Sequence, residues 1–171
     1  MKNLEPSKAI SLNSSSMKVY VVNCGYSARL FLDSHVDDYN DRIAEADEGA
    51  SDDERYAWTI TEIETDSNGR KIYSLQNSSY SKGFLFKGSP KDGDDYKVYG
   101  HNTDSIDSSK GNRYKFYMDE VGQNPVRYSI KSIDGYTLFA GVHKDGYSDH
   151  QVYARSGHQS DDRFKWYIFP V

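Results

Sequence analysis

The residue types that most often carry catalysis are scarce or badly spaced in this sequence. Cys24 is the only cysteine, and beside a strand-like segment it is expected to be a small buried hydrophobic residue. His143, His150 and His158 follow one another at spacings of 7 and 8 residues, which match no compact zinc pattern. The chain also lacks the G-x-S-x-G, H-E-x-x-H and phosphate-loop motifs. The sequence therefore predicts a non-enzymatic protein with no metal site and no cofactor.

Acidic residues are concentrated in one stretch of the chain. Between Asp33 and Glu54 there are ten acidic residues and a single basic one, Arg42. Such a stretch could receive a cationic partner or a loosely held calcium ion, but a solvated loop is the commoner explanation. The net charge of −5 argues against a nucleic-acid partner, because phosphate backbones require a cationic surface.

The composition is that of one folded domain. Hydrophobic residues make up only 36% of the 171 residues, but aromatic residues make up 14%, a content that disordered chains lack. No run approaches the roughly 18 apolar residues of a membrane helix, so no membrane span is predicted. Residues 1–16 lack the apolar stretch of a secretory signal. We therefore expect a cytoplasmic protein, or one exported without a classical signal peptide.

Three segments of the chain repeat the same set of short motifs. The clearest motif is Arg, an aromatic residue, any residue, Trp or Phe, any residue, and Ile or Met; it occupies residues 55–60, 113–118 and 163–168. Upstream of it, each segment has an opening tyrosine and then a central aliphatic residue, separated by 23, 25 and 24 residues. The opening and central residues are Tyr20 and Ile43, Tyr73 and Val98, and Tyr128 and Val152. Constant order and spacing indicate an internal repeat.

Each motif has the composition of a short β-strand, and about four strands per repeat give roughly twelve. That number in three copies predicts an all-β fold, a single β-trefoil with repeats of about 50 residues. A β-sandwich explains the strand density but not the three copies. Residues 38–46 could begin as a short helix, but the repeat favours a strand. We expect a flexible tail at 1–16 and a trefoil at 17–171, with repeats at about 17–68, 69–124 and 125–171.

The repeat also predicts equivalent positions. Trp58, Phe116 and Trp166 should be related by the threefold symmetry, as should the three opening tyrosines. A trefoil barrel should close between the first and last repeats, through the strand at residues 163–169.

The segment from Trp58-Thr-Ile through Tyr73-x-Leu-x-Asn77 to Leu85-Phe86 resembles the repeat of ricin-B-type lectins. The resemblance covers residues 17–171 and implies a carbohydrate-binding module that binds a glycan or glycoprotein without catalysis. A weaker resemblance to fascin-like and protease-inhibitor trefoils implies an alternative. In that case the protein binds a protease or a cytoskeletal protein through loops 34–53 and 103–111.

Tyr99 and Tyr153 are the predicted sugar-binding rings. In a regular strand they face away from the neighbouring valines, and an exposed ring beside polar groups suits a sugar. Ricin-type repeats place an aromatic platform on this strand; the alternative is that both rings pack against a neighbouring hairpin. The first repeat has Ala44 at the equivalent position, so its site should be lost or altered. The candidate polar residues are Gln151, His150, Asp149, His101, Asn102 and Asp33, the last being the acid that the family places after the second strand.

Overall fold

The computed structural model describes residues 4–79, 83–103, 106, 112–157 and 160–171. Twelve strands form one antiparallel sheet system, and the described residues contain no α-helix. The strands are β1 (Ser16–Asn23), β2 (Arg29–Leu32), β3 (Asp41–Asp47), β4 (Ala57–Thr65), β5 (Lys71–Asn77), β6 (Phe84–Asp92), β7 (Asp95–His101), β8 (Phe116–Gln123), β9 (Val126–Ser132), β10 (Tyr136–Lys144), β11 (His150–Ser156) and β12 (Trp166–Pro170). Short 3-10 turns occupy Pro6–Lys8, Glu54–Tyr56 and Asp162–Phe164.

Six strands, two from each repeat, close into a barrel. The antiparallel neighbours run β1, β4, β5, β8, β9 and β12. Strand β12 then returns to β1, with Ile168 opposite Val21. Closure leaves no free edge within the barrel. The predicted closure between the first and last repeats is confirmed.

The remaining six strands form three hairpins that cover one end of the barrel. These hairpins are β2–β3, β6–β7 and β10–β11. Each hairpin touches the next through pairing of β3 with β7, β7 with β11 and β11 with β3. A six-stranded barrel with a triangular hairpin cap is a β-trefoil, so the predicted fold class is confirmed.

Large aromatic side chains from the three repeats fill the barrel. Trp58, Phe116 and Trp166 are fully buried, and each faces the first barrel strand of its repeat. The two indoles donate equivalent hydrogen bonds, from Trp58 Nε1 to the Leu30 carbonyl at 2.8 Å and from Trp166 Nε1 to the Leu138 carbonyl at 3.2 Å. The predicted equivalence of the three positions is supported by this shared register.

The predicted equivalence of Tyr20 with Tyr73 and Tyr128 is wrong by one residue. Strand pairing sets Tyr73 opposite Phe116 and Tyr128 opposite Trp166, whereas the residue opposite Trp58 is Val19. A shift of one residue moves a side chain to the other face of the sheet. Tyr20 accordingly lies outside the barrel core, with the Arg29 guanidinium 4.4 Å from its ring centre.

The same shift affects the first-repeat hairpin. Residues 41–47 form strand β3, as the repeat predicted, but Ala44 is fully buried and pairs with Leu32 as Val98 pairs with Lys87. The residue at the tyrosine position of the first repeat is therefore Glu45 and not Ala44. Loop 34–53 accordingly contains a strand, which divides it into two shorter loops.

Residues 4–15 lie against the barrel. The Ile10 amide donates to the Ile168 carbonyl at 2.9 Å, and the Leu12 amide donates to the Tyr128 hydroxyl at 2.8 Å. The side chains of Ile10 and Leu12 pack against the main core. How firmly this segment is held stays a prediction, and an experiment is given below.

Candidate functional site

The hairpins of the cap meet at three equivalent seams. The first seam lies between β3 and β7, the second between β7 and β11, and the third between β11 and β3. In each seam an aspartate at or just before the start of one strand faces a residue at or near the end of the next. Asp41 pairs with His101, Asp95 forms an ion pair with Arg155, and Asp149 lies within the electrostatic influence of Asp47.

The first seam forms an open groove of about 490 Å³. Its polar wall includes Asp41, whose carboxylate lies 2.5 Å from His101 Nδ1. Burial raises the pKa of Asp41, and the hydrogen bond from His101 opposes that rise. Arg113 also lines the groove, with its guanidinium 4.0 Å from the centre of the Phe86 ring. The groove therefore joins an acid, an imidazole and a guanidinium beside aromatic rings.

Tyr39 stands at the mouth of this groove with 81% of its surface exposed. Its position follows from the turn before β3, where one Asp37 carboxylate oxygen accepts from the amides of Tyr39 and Asp41, each at 2.9 Å. Asn40 has a φ of 63°, in the left-handed region that asparagine tolerates. The turn thus fixes the backbone of a tyrosine whose ring is free of packing.

Tyr99 lines the same groove but is only 9% exposed. Its ring stacks on Phe86 with centroids 5.8 Å apart. Burial, then the charges of Asp37 and Asp41, raise the pKa of its hydroxyl. Tyr99 therefore forms part of the floor. It is packed, as the alternative interpretation expects, but its ring stacks within its own hairpin and not on a neighbouring one, and Tyr39 is the exposed ring.

In the second seam, Tyr153 stacks on Phe139 with centroids 5.7 Å apart and remains partly exposed. Its hydroxyl lies 2.9 Å from the Gln151 amide oxygen and 3.1 Å from the Asp92 carboxylate. Burial, and then the hydrogen bond to Asp92, raise the pKa of Tyr153 to about 12. Arg155 closes this seam with a bidentate ion pair to Asp95 at 2.6 and 2.7 Å. The seam is thus filled by internal contacts.

The third seam is acidic. Carboxylate oxygens of Glu45, Asp145 and Asp149 all lie within 4.8 Å of one another. Burial, and then the charges of Asp145, Asp33 and Asp149, raise the pKa of Glu45 to about 8. Burial, and then the charges of Asp47 and Asp145, raise the pKa of Asp149 to about 6.

The other predicted site residues are dispersed. His150 is 1% exposed, with Nδ1 2.7 Å from the Gly141 carbonyl and Nε2 2.8 Å from the Glu48 carboxylate, so it presents no surface to a ligand. Asn102 is exposed and follows His101 of the groove along the chain. Asp33 lies at the third seam, where its charge acts on Glu45. In loop 103–111 only residues 103 and 106 are described, so the prediction for this loop lies outside the described residues.

Sequence reasoning missed Tyr39, Asp37 and Arg113. A signal for the first two was present, because residues 37–41 (DDYND) and 145–149 (DGYSD) share an aspartate, a tyrosine two residues later and an aspartate two residues after that. The second copy forms the same turn, with Asp145 accepting from the amides of Tyr147 and Asp149, and Tyr147 is 88% exposed.

Two further features have no evident binding chemistry. A depression of about 560 Å³ beside Lys131 and Thr137 has Phe164 as its aromatic residue, which is only 2% exposed. Burial raises the pKa of the Cys24 thiol to about 12, so the nucleophilic thiolate is scarce at neutral pH.

The closed barrel and its cap make this chain a β-trefoil whose fold resembles that of ricin-B-type lectins. Among the described residues, no helix is long and apolar enough to cross a membrane. The sequence matches no protein-family model and no curated protein.

Similar solved structures include a ricin B-like lectin of Macrolepiota procera in complex with lactose. It is 14% identical with a TM-score of 0.62, and the match covers 94% of this chain and 100% of the lectin. An SDF2-like protein from Arabidopsis thaliana is 12% identical with a TM-score of 0.73, covering 93% and 94% of the two chains. The designed threefold-symmetric protein ThreeFoil is 14% identical with a TM-score of 0.64, covering 90% and 99%. At these identities, the likeness establishes the fold alone.

Proposed function

We propose that this protein is a glycan-binding module without catalytic activity, and that the groove of the first seam is its binding site. The observation that carries the proposal is the exposed Tyr39 ring beside carboxylates and an imidazole. A sugar can stack its C–H face on such a ring while carboxylates accept hydrogen bonds from its hydroxyls. The lactose complex of the Macrolepiota procera lectin supports the same ligand class for this fold.

The groove provides several kinds of sugar contact close together. Asp37 and Asp41 supply acceptors, Arg113 supplies donors, and Tyr99 supplies an apolar floor next to Gly88. This assignment moves the exposed ring from the predicted Tyr99 to Tyr39, while Tyr99, His101 and the adjacent Asn102 remain in or beside the proposed site. Tyr153 and Gln151 belong to a second, more tightly filled candidate site.

The proposed absence of catalysis rests on the sequence, which carries none of the catalytic motifs named above.

A glycan array, followed by calorimetry with the strongest glycan, tests the site. Tyr39→Ala should weaken binding about two- to tenfold, the loss expected for one aromatic stack. Tyr147→Ala is the matched control, because it removes an equally exposed ring from the equivalent turn of the third repeat. Both variants should keep the wild-type melting temperature. Failure to bind any glycan, or equal losses in both variants, would contradict the proposal.

A protein partner is the second candidate function. Tyr39 and Tyr147 are exposed at the tips of two of the three hairpins, and exposed tyrosine is a residue type that protein interfaces favour. Under this hypothesis a pull-down should recover a protein whose binding needs both tyrosines and resists competition by free saccharide. Competition by saccharide favours the lectin.

A further inference from the structure

The third seam differs from the other two in the residue that faces its aspartate. Asp41 faces the imidazole of His101 in the first seam, and Asp95 faces the guanidinium of Arg155 in the second. In the third seam, Asp149 faces another acid, Asp47, whose charge opposes its own. A nitrogen base thus balances the aspartate in two seams, and the equivalent base is missing from the third.

A second pair of positions is changed in the same seam. In the second and third repeats, a tyrosine ring lies over a glycine, Tyr99 over Gly88 and Tyr153 over Gly141. The first repeat has Glu45 in place of the tyrosine and Asp33 in place of the glycine. Two acids therefore replace an apolar contact, and their charges repel each other.

Glu45 has no compensating partner among the residues that the structure describes. Its side chain belongs to a residue only 7% exposed and accepts no hydrogen bond from any of them. The charged groups that act on it are Asp145, Asp33 and Asp149, all of them acids. A largely buried residue whose carboxylate faces only other acids is stabilised by a proton or by a cation.

The cationic side chains nearby have partners already. Arg55 acts on Asp149 and also donates to the Tyr56 hydroxyl. Lys144 lies 2.8 Å from Glu48, and that carboxylate is also the partner of His150. Protein cations thus leave the acids of the seam undercompensated.

We propose that the third seam binds a calcium ion through the carboxylates of Glu45, Asp145 and Asp149. The donors are oxygens only, the set that hard cations prefer. Calcium lies about 2.3–2.6 Å from its ligands, so two opposed ligand oxygens are about 5 Å apart. The three carboxylate oxygens fall within that span, since they lie within 4.8 Å of one another.

The three ligands differ in how firmly they are held and in how exposed they are. Glu45 is fixed on strand β3, and Asp149 precedes β11 on the facing hairpin. Asp145 is exposed, and one of its oxygens already accepts from the Tyr147 and Asp149 amides, which leaves the other for the ion. Water can complete the coordination from this open side. Binding would join two repeats of the cap.

Calcium titration with calorimetry and thermal melting tests the proposal. The wild-type protein should bind one calcium ion, and its melting temperature should rise by several degrees between EDTA and millimolar calcium chloride. Asp145→Asn should abolish the rise, because it removes a ligand charge while its remaining oxygen still accepts from the turn amides. Glu45→Gln should also abolish it, since an amide cannot supply the ligand charge of the carboxylate.

Asp37→Asn is the matched control, because Asp37 holds the equivalent turn of the first repeat through the same two amide contacts. This variant should keep the full calcium response. The proposal is overturned if the wild-type protein binds no calcium when millimolar calcium chloride is present in tenfold excess over the protein. It is also overturned if Asp145→Asn and Glu45→Gln both respond as wild type does.

Discussion

At the scale of single residues, glycine determines where the two predicted platform rings lie. A Cβ atom on Gly88 would come within 2.7 Å of the Tyr99 ring, and one on Gly141 within 2.9 Å of the Tyr153 ring. Only glycine leaves the space for each ring to lie against its hairpin. The rings therefore contribute to packing of the cap, and what they offer a ligand is the part left exposed.

Tyr99→Ala should accordingly lower the free energy of unfolding by about 3–5 kcal/mol, the usual cost of truncating a large buried aromatic residue. Tyr153→Ala should cost less, because part of that side chain is already in water. Urea unfolding of the two variants measures both effects. If Tyr99→Ala costs under about 1 kcal/mol, its ring is not a packing residue and the original platform interpretation regains support.

At the scale of elements, the number, order and barrel closure of the strands could be predicted from the sequence, but the register of the first repeat could not. Val19, Tyr20, Val21 and Val22 are all buried, so hydrophobic alternation gives no sign of which pair faces the barrel. In β3 the larger Ile43 suggested a core position, whereas the fully buried residue is the small Ala44. Ala44 pairs with the equally buried Leu32.

Closure of the barrel makes the last strand indispensable. Trp166, Ile168 and Phe169 are buried, and β12 pairs with both β1 and β9. Removing residues 166–171 should therefore give insoluble or unfolded protein, because each unpaired buried backbone group costs about 1–3 kcal/mol.

Solubility and circular dichroism of the truncated chain check this expectation. The control is removal of Val171 alone, which is 59% exposed and should leave the fold intact. A soluble product that lacks residues 166–171 and still melts cooperatively would show that closure by β12 is dispensable.

At the scale of the whole molecule, one fold carries three seams of different chemistry. The sequence repeats predict three equivalent copies but not the contacts between them, because each seam joins residues about 60 or 100 positions apart, such as Asp41 with His101 and Glu48 with His150. Which residues meet in a seam can be deduced only when the register of each hairpin is known. The sequence prediction set Ala44, and not Glu45, at the tyrosine position of the first repeat. For this reason it did not identify the acidic seam.

The N-terminal segment adds a final element to the molecule as a whole. Residues 1–16 were expected to be flexible, yet Ile10 and Leu12 donate backbone hydrogen bonds to the barrel and pack their side chains on its core. Deleting residues 1–12 should expose part of that apolar surface at about 25 cal/mol per Å². We expect a trefoil that still unfolds cooperatively but melts several degrees lower, with removal of residues 1–3 alone as the control.

Amide hydrogen exchange measures the same contact in the intact chain, since the Ile10 and Leu12 amides should be protected. Exchange of these amides at the rate of an unstructured peptide, with an unchanged melting temperature after deletion, would instead establish a flexible tail.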